Sequence, residues 1–232
     1  MPTAEHKSSE RTAQVMCGAL AGPLFVSAFT AIGATRLAYD WQRYAVSSLA
    51  IGRRGWLQRA NFIVAGVLYS CAARGLGRCP RRSLGPRAIP TLVAGVGIGL
   101  IGSGVFVTDP VGGFPLGTSD EERSDDTGVA GSAPTREGRL HNICAIPIFA
   151  GIPVAGLVSA AAGVRSRDYR WACYSAGSSF VMVGSFLLFG RAFGGMSRLA
   201  GKGGIFQRIS IASGFGWLTA LSLRALSSLP RR

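Results

Sequence analysis

The sequence has few charged residues for its length. Asp, Glu, Lys and Arg make up 16% of the 232 residues, whereas soluble domains carry about 25%. Hydrophobic residues make up 48% of the chain, and the mean hydropathy is positive at +0.31. A water-facing globule needs more polar surface than this. The composition therefore excludes a soluble enzyme and predicts that the bilayer is the solvent.

Histidine is scarce, and cysteine forms no ligand or redox motif. Two His residues are too few for a membrane haem held by His pairs or for a His-rich zinc site. The five Cys include no C-x-x-C pair, and four of them fall in apolar runs, where Cys acts as a small hydrophobe. G-x-S-x-G, Walker A and H-E-x-x-H patterns are also missing. We therefore expect no metal, no cofactor and no disulfide framework.

Basic residues outnumber acidic ones by 25 to 11, which gives a net charge of +14. In a soluble protein this excess would suggest a nucleic acid partner. Here no nucleic-acid-binding pattern accompanies the charge, and clusters of Arg lie between the apolar stretches: Arg78, Arg81, Arg82 and Arg87, then Arg165, Arg167 and Arg170. Such clusters anchor membrane loops. We expect contact with membrane lipids and no binding of nucleic acid.

Six stretches approach the ~20 apolar residues that a helix needs to cross ~30 Å of hydrocarbon. They cover residues 13–35, 58–77, 89–108, 140–164, 171–190 and 205–226. A spanning backbone must satisfy its own hydrogen bonds, and the alternating pattern of a membrane β-barrel is absent. The sequence therefore predicts an all-α integral membrane protein with six transmembrane helices in a single bundle.

These spans predict a tail of residues 1–12, a transmembrane domain of residues 13–228 and a basic tail of residues 229–232. The first apolar run has no small-residue cleavage site and is long enough to span, so it predicts a retained helix. A flexible outer loop at about residues 110–138 separates the third and fourth spans. Seven of the eleven acidic residues lie in or beside this loop: Asp109, Asp120, Glu121, Glu122, Asp125, Asp126 and Glu137.

The two shortest connections, residues 78–87 and 165–170, are the most basic. Lys and Arg are nearly equal in number on the two sides of a six-helix topology, but the positive-inside rule is strongest for short loops near helix ends. The sequence therefore predicts a cell-membrane protein with both termini in the cytoplasm and the acidic loop outside.

Polar side chains other than the basic anchors gather at helix ends on the outer side. Ionisable groups at membrane depth face a bundle interior and seek partners, so we expect one polar chamber near the outer leaflet. In this chamber we predict that Asp40, Asp109, His141 and Arg208 approach one another. The alternative is that these groups are interfacial charges whose pairing locks the helix ends. The set comprises Asp40, Ser47, Asp109, Arg139, His141, Asn142, Arg191, Gln207 and Arg208.

His141 is the sharpest candidate for chemistry because the pKa of histidine lies near neutrality. We interpret Asp109 and His141 as a catalytic pair that exchanges protons, with six residues as candidate substrate ligands: Asp40, Ser47, Arg139, Arg191, Gln207 and Arg208. A single His beside Arg139 and Asn142 is equally typical of a structural hydrogen-bonding residue.

Several short segments form a recognisable set: YD at 39–40, VSSL at 46–49, GWLQ at 55–58, NF at 61–62 with Gly66, FVTDP at 106–110, GRLH at 138–141, GIFQR at 204–208 and GW at 216–217. Together they resemble one known membrane family, catalogued as domain of unknown function 998. FVTDP resembles its F-P-T-D-P signature, and GRLH resembles its G-x-x-H element. Val107 stands where the family usually has Pro, and residues 118–135 look like an insertion. The resemblance implies six membrane helices and leaves the reaction open.

Two classes of function remain at this point. The first is a membrane-embedded enzyme that acts by acid-base chemistry on a lipid-soluble small molecule, such as an isoprenoid or lipid. The second is a non-catalytic membrane protein, either a small transporter or a lipid-binding accessory subunit. No inverted repeat or pair of broken helices is evident, which weakens the transporter. The sequence slightly favours the enzyme and leaves the oligomeric state open.

Overall fold

The computed structural model describes residues 4–79, 87–111, 114, 133–193, 199 and 201–229. Over these ranges the chain forms six long helices and no strand, and each helix is long and apolar enough to cross a membrane. The protein is therefore a multi-pass membrane protein with a single all-α bundle, as the sequence predicts. The helices are α1 (Ala4–Ala34), α2 (Trp56–Gly77), α3 (Ala88–Val105), α4 (Arg136–Arg165), α5 (Tyr169–Phe193) and α6 (Gly203–Ser227).

Helix α1 begins at Ala4, nine residues before the start of the predicted span. The added turns are polar, and Glu10 in them forms an ion pair with Arg78, which follows α2, at 3.1 Å. A helix that leaves the hydrocarbon can continue in water when its side chains find such partners. The acidic run of the predicted outer loop, residues 120–126, lies outside the described residues, as do residues 230–232 of the predicted basic tail.

The outward surface of the helices is apolar. Ile98 on α3 and Phe180 on α5 are each 68% exposed, and many other large apolar side chains are similarly open. Exposure of so much apolar surface is unfavourable in water and costs little against lipid tails. The surface therefore agrees with the bilayer as the solvent.

Each helix packs against its neighbours in the chain, and α6 closes the bundle against α1. Small residues carry the close contacts because they let two backbones approach. At Gly97 of α3, a Cβ atom would overlap the side chain of Ser70 on α2 and lie 2.8 Å from the carbonyl oxygen of Gly66. At Gly214 of α6, a Cβ atom would overlap the sulfur of Met182 on α5.

Consecutive helices run in opposite directions, so six helix ends meet at one end of the bundle, which we call the site face. These are the C-terminal ends of α1, α3 and α5 and the N-terminal ends of α2, α4 and α6. Arg59 near the start of α2, for example, donates from Nε to the carbonyl oxygen of Gly104 near the end of α3 at 3.0 Å. The described residues of the connections between these ends, 35–55, 106–111, 133–135 and 201–202, therefore lie at the site face.

Helix α4 is interrupted by one π-helical turn, Pro147–Gly151. Pro147 and Pro153 both lack the N–H that would continue the α-helical ladder, which favours a local change of hydrogen-bond register. The turn directs Ile148 and Phe149 towards the interior of the bundle at the site face.

Candidate functional site

A cavity of about 240 Å³ lies within the bundle at the site face. All six helices contribute to its wall, together with a 3-10 turn, Ser47–Ala50, between α1 and α2. Seven phenylalanines line it: Phe25, Phe62, Phe149, Phe186, Phe189, Phe193 and Phe215. Its polar lining consists of Ser47, Ser103, Thr108, His141, Asn142 and Gln207. Among the described lining residues, none is Asp, Glu, Lys or Arg.

His141 is buried on the first turns of α4 and lines this cavity. Its Nδ1 lies 2.9 Å from the carbonyl oxygen of Phe106, just after α3. A carbonyl oxygen only accepts hydrogen bonds, so Nδ1 carries the proton and donates it. In the neutral ring Nε2 is then the acceptor.

Asp109 stabilises the N-terminal end of α4, the helix that carries His141. Its carboxylate accepts hydrogen bonds from the backbone N–H of Thr135 at 3.0 Å and from the Thr135 hydroxyl at 2.6 Å. Thr135 Oγ1 in turn accepts from the N–H of Gly138 at 3.0 Å and caps the helix. A Cβ atom on Gly138 would overlap the Asp109 carboxylate, so this approach requires glycine.

Asp109 and His141 thus both form hydrogen bonds within the region where α3 ends and α4 begins, but they do not bind each other. Over the described residues no hydrogen bond links the two side chains, and each binds elsewhere on the α3–α4 connection. The FVTDP and GRLH segments interlock through these bonds. Thr108 lines the cavity, whereas Asp109 does not. The arrangement of Asp109 is that of a side chain that locks two helix ends together.

Gln207 and Ser47 lie at the same cavity as His141. Gln207 on α6 is buried, and its Oε1 accepts from the backbone N–H of Val46 at 2.6 Å. This bond fixes the 3-10 turn against α6 and brings Ser47 to the cavity wall. Three of the eight residues proposed from the sequence therefore share one cavity, although they are far apart along the chain.

The other predicted ligands lie elsewhere. Arg139 and Arg191 are exposed and do not line the cavity. Asp40 is exposed, and its Oδ1 accepts from the backbone N–H of Gln42 at 2.9 Å. Arg208 lies in a second cavity. The predicted convergence of Asp40, Asp109, His141 and Arg208 in one chamber is therefore not seen, because Arg208 follows Gln207 on a helix and successive side chains leave it about 100° apart.

Sequence reasoning missed Ser103 and the aromatic lining. Ser103 is 1% exposed, lines the cavity, and its hydroxyl has no hydrogen-bond partner among the described residues. It sits between Gly102 and Gly104, where a serine looks like a packing residue. Phe186, Phe189 and Phe193 recur at helical spacing, so one face of α5 could have been identified as aromatic.

The comparisons with known proteins give a family and no described reaction. Within the described ranges, no group of three or more His, Cys, Asp or Glu side chains comes together as a metal site. No curated protein and no solved structure matches the chain. The model of the family described as "Protein of unknown function (DUF998)" matches residues 19–224, which is most of the sequence and includes all six helices at least in part. The chain belongs to the DUF998 family.

Proposed function

We propose that this protein binds a lipid-soluble molecule in the cavity at the site face, with the polar end of the molecule at His141. The observation that carries the proposal is the hydroxyl of Ser103, which has no hydrogen-bond partner among the described residues, in a cavity that also contains His141 and is lined mostly by apolar side chains. A buried polar group without a partner costs about 1–3 kcal/mol. A ligand that bonds to Ser103 and His141 and fills the apolar space removes this cost.

The lining favours a ligand with a neutral polar end. Hydroxyl, imidazole and amide groups on Ser103, His141 and Gln207 can donate to or accept from an alcohol or a carbonyl. No described lining residue supplies a charge for an ion. The apolar remainder of the ligand would contact the phenylalanines, as an isoprenoid or acyl chain does.

The size of the cavity indicates that it encloses only part of a long ligand. Ligand pockets usually measure about 300–1,000 Å³, and this one, at about 240 Å³, would hold one end of a long chain. The seam between α4 and α5 offers the rest of the chain a route to the bilayer. There Phe149 stacks on Phe186 with ring centroids 4.1 Å apart, and both rings are partly exposed. The π-helical turn of α4 lies at this seam, and such turns are frequent at functional sites.

Two alanine positions on α4 provide a matched test. Ala145 lines the cavity, whereas Ala150 on the same helix is exposed and does not. We expect Ala145→Trp to fill the cavity and to reduce the amount of co-purified hydrophobic ligand, measured by native mass spectrometry from detergent micelles, by at least about tenfold. Ala150→Trp should retain the ligand, because its indole faces lipid. Equal retention by the two folded variants would contradict the proposal.

Acid-base catalysis at His141 is a second candidate. It is supported by the Nδ1–H bond to the Phe106 carbonyl, which holds the ring in the tautomer whose Nε2 can accept a proton from a ligand. The bonding of Asp109 to Thr135 favours His141 as the base without a carboxylate partner.

The proposed location is the cell membrane, with both termini in the cytoplasm and the site face outside. The basic residues of the two short connections support this orientation. A ligand would then enter from the outer leaflet.

A further inference from the structure

A second cavity opens on the site face between α1 and the first turns of α6. It measures about 570 Å³ and shares no described lining residue with the first cavity. Arg36 and Arg208 line it together with the aromatic residues Phe29, Tyr39 and Trp41. Two arginine residues therefore line one partly enclosed space.

Arg208 is held in a fixed orientation. Its Nη1 donates to the carbonyl oxygens of Tyr44 at 3.2 Å and Gly204 at 3.0 Å, and its Nη2 donates to the hydroxyl of Tyr39 at 2.8 Å. Its Cζ lies 5.7 Å from the ring centroids of both Phe29 and Tyr39. These bonds leave Nε–H and one Nη2 hydrogen for another acceptor.

Tyr39 cannot neutralise this charge. Burial is the largest influence on its phenol and raises the pKa above the usual value. The charge of Arg208 lowers the pKa by less, so the hydroxyl stays protonated at neutral pH. It donates to the carbonyl oxygen of Ala45 at 2.9 Å while it accepts from Arg208.

Arg36, which follows α1, has unused donors. Its Nη2 donates to the carbonyl oxygen of Ile51, and its Cζ lies 5.8 Å from the ring centroid of Phe114. Its Nη1 is buried and has no hydrogen-bond partner within the described part of the chain. A buried guanidinium nitrogen without an acceptor is unfavourable.

The cavity lacks a compensating negative charge in the part of the chain that the structure describes. No described lining residue is Asp or Glu, and the ion pairs found there are Arg78 with Glu10 and Arg224 with Asp168. The charge of Asp40 acts on the neighbouring Tyr39 phenol, but Asp40 does not line the cavity, is exposed, and accepts from the backbone N–H of Gln42.

We infer that this second cavity binds a phosphate group, with Arg36 and Arg208 as its ligands. The forked guanidinium matches the geometry of a phosphate better than an ammonium does, and it is the usual residue for this purpose. Trp41 at the rim is 52% exposed, as is typical of aromatic residues at the headgroup level of a bilayer. Both an anionic phospholipid headgroup and free phosphate carry this chemistry.

The test uses the full chain with two pairs of matched variants. Arg36→Gln removes one guanidinium from the cavity, and Arg53→Gln makes the same charge change at an exposed residue of the same connection. Ala34→Glu places a carboxylate in the cavity and leaves both arginines present, whereas Thr35→Glu places it at the next residue, which does not line the cavity. The Ala34 pair keeps the test decisive if Arg36→Gln does not fold.

The first arm measures retention of phosphatidylglycerol by native mass spectrometry after extraction from nanodiscs of phosphatidylcholine and phosphatidylglycerol. The second arm adds inorganic phosphate at millimolar concentration to protein in phosphatidylcholine nanodiscs and measures the melting temperature. A loss of at least about tenfold in lipid retention with Arg36→Gln and Ala34→Glu, but not with their controls, supports a headgroup site. A phosphate-induced rise in melting temperature that the same two variants abolish supports a free-phosphate site. Equal behaviour of variants and controls in both arms would overturn the inference.

Discussion

At the scale of single residues, the two nitrogens of His141 have separable roles. Asparagine places an amide N–H near the position of Nδ1, so His141→Asn can keep the bond to the Phe106 carbonyl and lose the group at Nε2. Glutamine reaches the position of Nε2 and gives up that bond. We expect His141→Asn to keep the melting temperature and lose cavity ligand, and His141→Gln to melt earlier. Thermal unfolding and native mass spectrometry on the same samples measure both. Full ligand retention by His141→Asn would restrict His141 to a structural role.

Asp109 provides the contrasting case of a charged side chain used for structure. An asparagine there has one oxygen for the two donors of Thr135, so the Thr135 hydroxyl would lose its acceptor and would have to turn to accept from the new NH₂ group. We expect Asp109→Asn to lower the free energy of unfolding by about 1–3 kcal/mol, which corresponds to about 2–4 °C in melting temperature per kcal/mol for a chain of this size. Asp40→Asn, which removes the same charge at an exposed residue, should have a smaller effect. A stable Asp109→Asn variant that has lost ligand would instead make Asp109 part of the binding site.

At the scale of the helices, a glycine is required only where the neighbouring helix leaves no space for a Cβ atom. Gly97 and Gly95 both lie on α3, but a Cβ atom at Gly97 would approach the backbone of α2 within 2.8 Å, whereas one at Gly95 would lie 3.8 Å from Pro147 Cβ. We expect Gly97→Ala to destabilise the protein by about 1–3 kcal/mol through overpacking. Gly95→Ala should be neutral or stabilising, because alanine favours helix by about 1 kcal/mol. Melting temperatures in one detergent compare the two; equal values would mean that the helices are less closely packed than described.

The number of helices and the residues at which they begin and end were predictable from the sequence, because the length of an apolar run indicates whether a helix crosses the bilayer. Helices α2, α3, α5 and α6 end within about three residues of the predicted spans, and only α1 extends much further. The π-helical turn of α4 was not predicted, since proline marks a disturbed helix without specifying which hydrogen bonds replace the lost one. The aromatic wall was missed for a similar reason: phenylalanine suits both lipid and cavity, and hydropathy does not separate the two.

At the scale of the whole molecule, topology placed the polar groups on one face but could not divide them between cavities. Of the residues proposed from the sequence, His141, Ser47 and Gln207 line one cavity, because the elements that carry them meet at the site face. The separation of Arg208 depends on the rotation of α6 about its axis, which is set by packing against α1 and α5. A single sequence does not supply that rotation.

The orientation of the whole bundle in the membrane can be tested by labelling the acidic loop. A cysteine introduced at Ser124 should react with a membrane-impermeant maleimide added to intact cells, because the acidic loop is expected outside. Cys173 is exposed and is replaced by serine in the background variant to lower unspecific labelling. Labelling of the introduced cysteine only after the cells are opened would reverse the proposed orientation.

A structure of the purified protein in nanodiscs, determined by cryo-electron microscopy without added ligand, tests the central proposal most directly. We predict density for an elongated molecule in the first cavity, with a polar end within hydrogen-bond distance of His141 Nε2 and the Ser103 hydroxyl. Its apolar part should leave the cavity along the seam between α4 and α5, beside the stacked rings of Phe149 and Phe186, towards the lipid. A cavity that is empty, or is closed by the phenylalanine side chains themselves, would contradict the proposal that this protein binds a lipid-soluble molecule at His141.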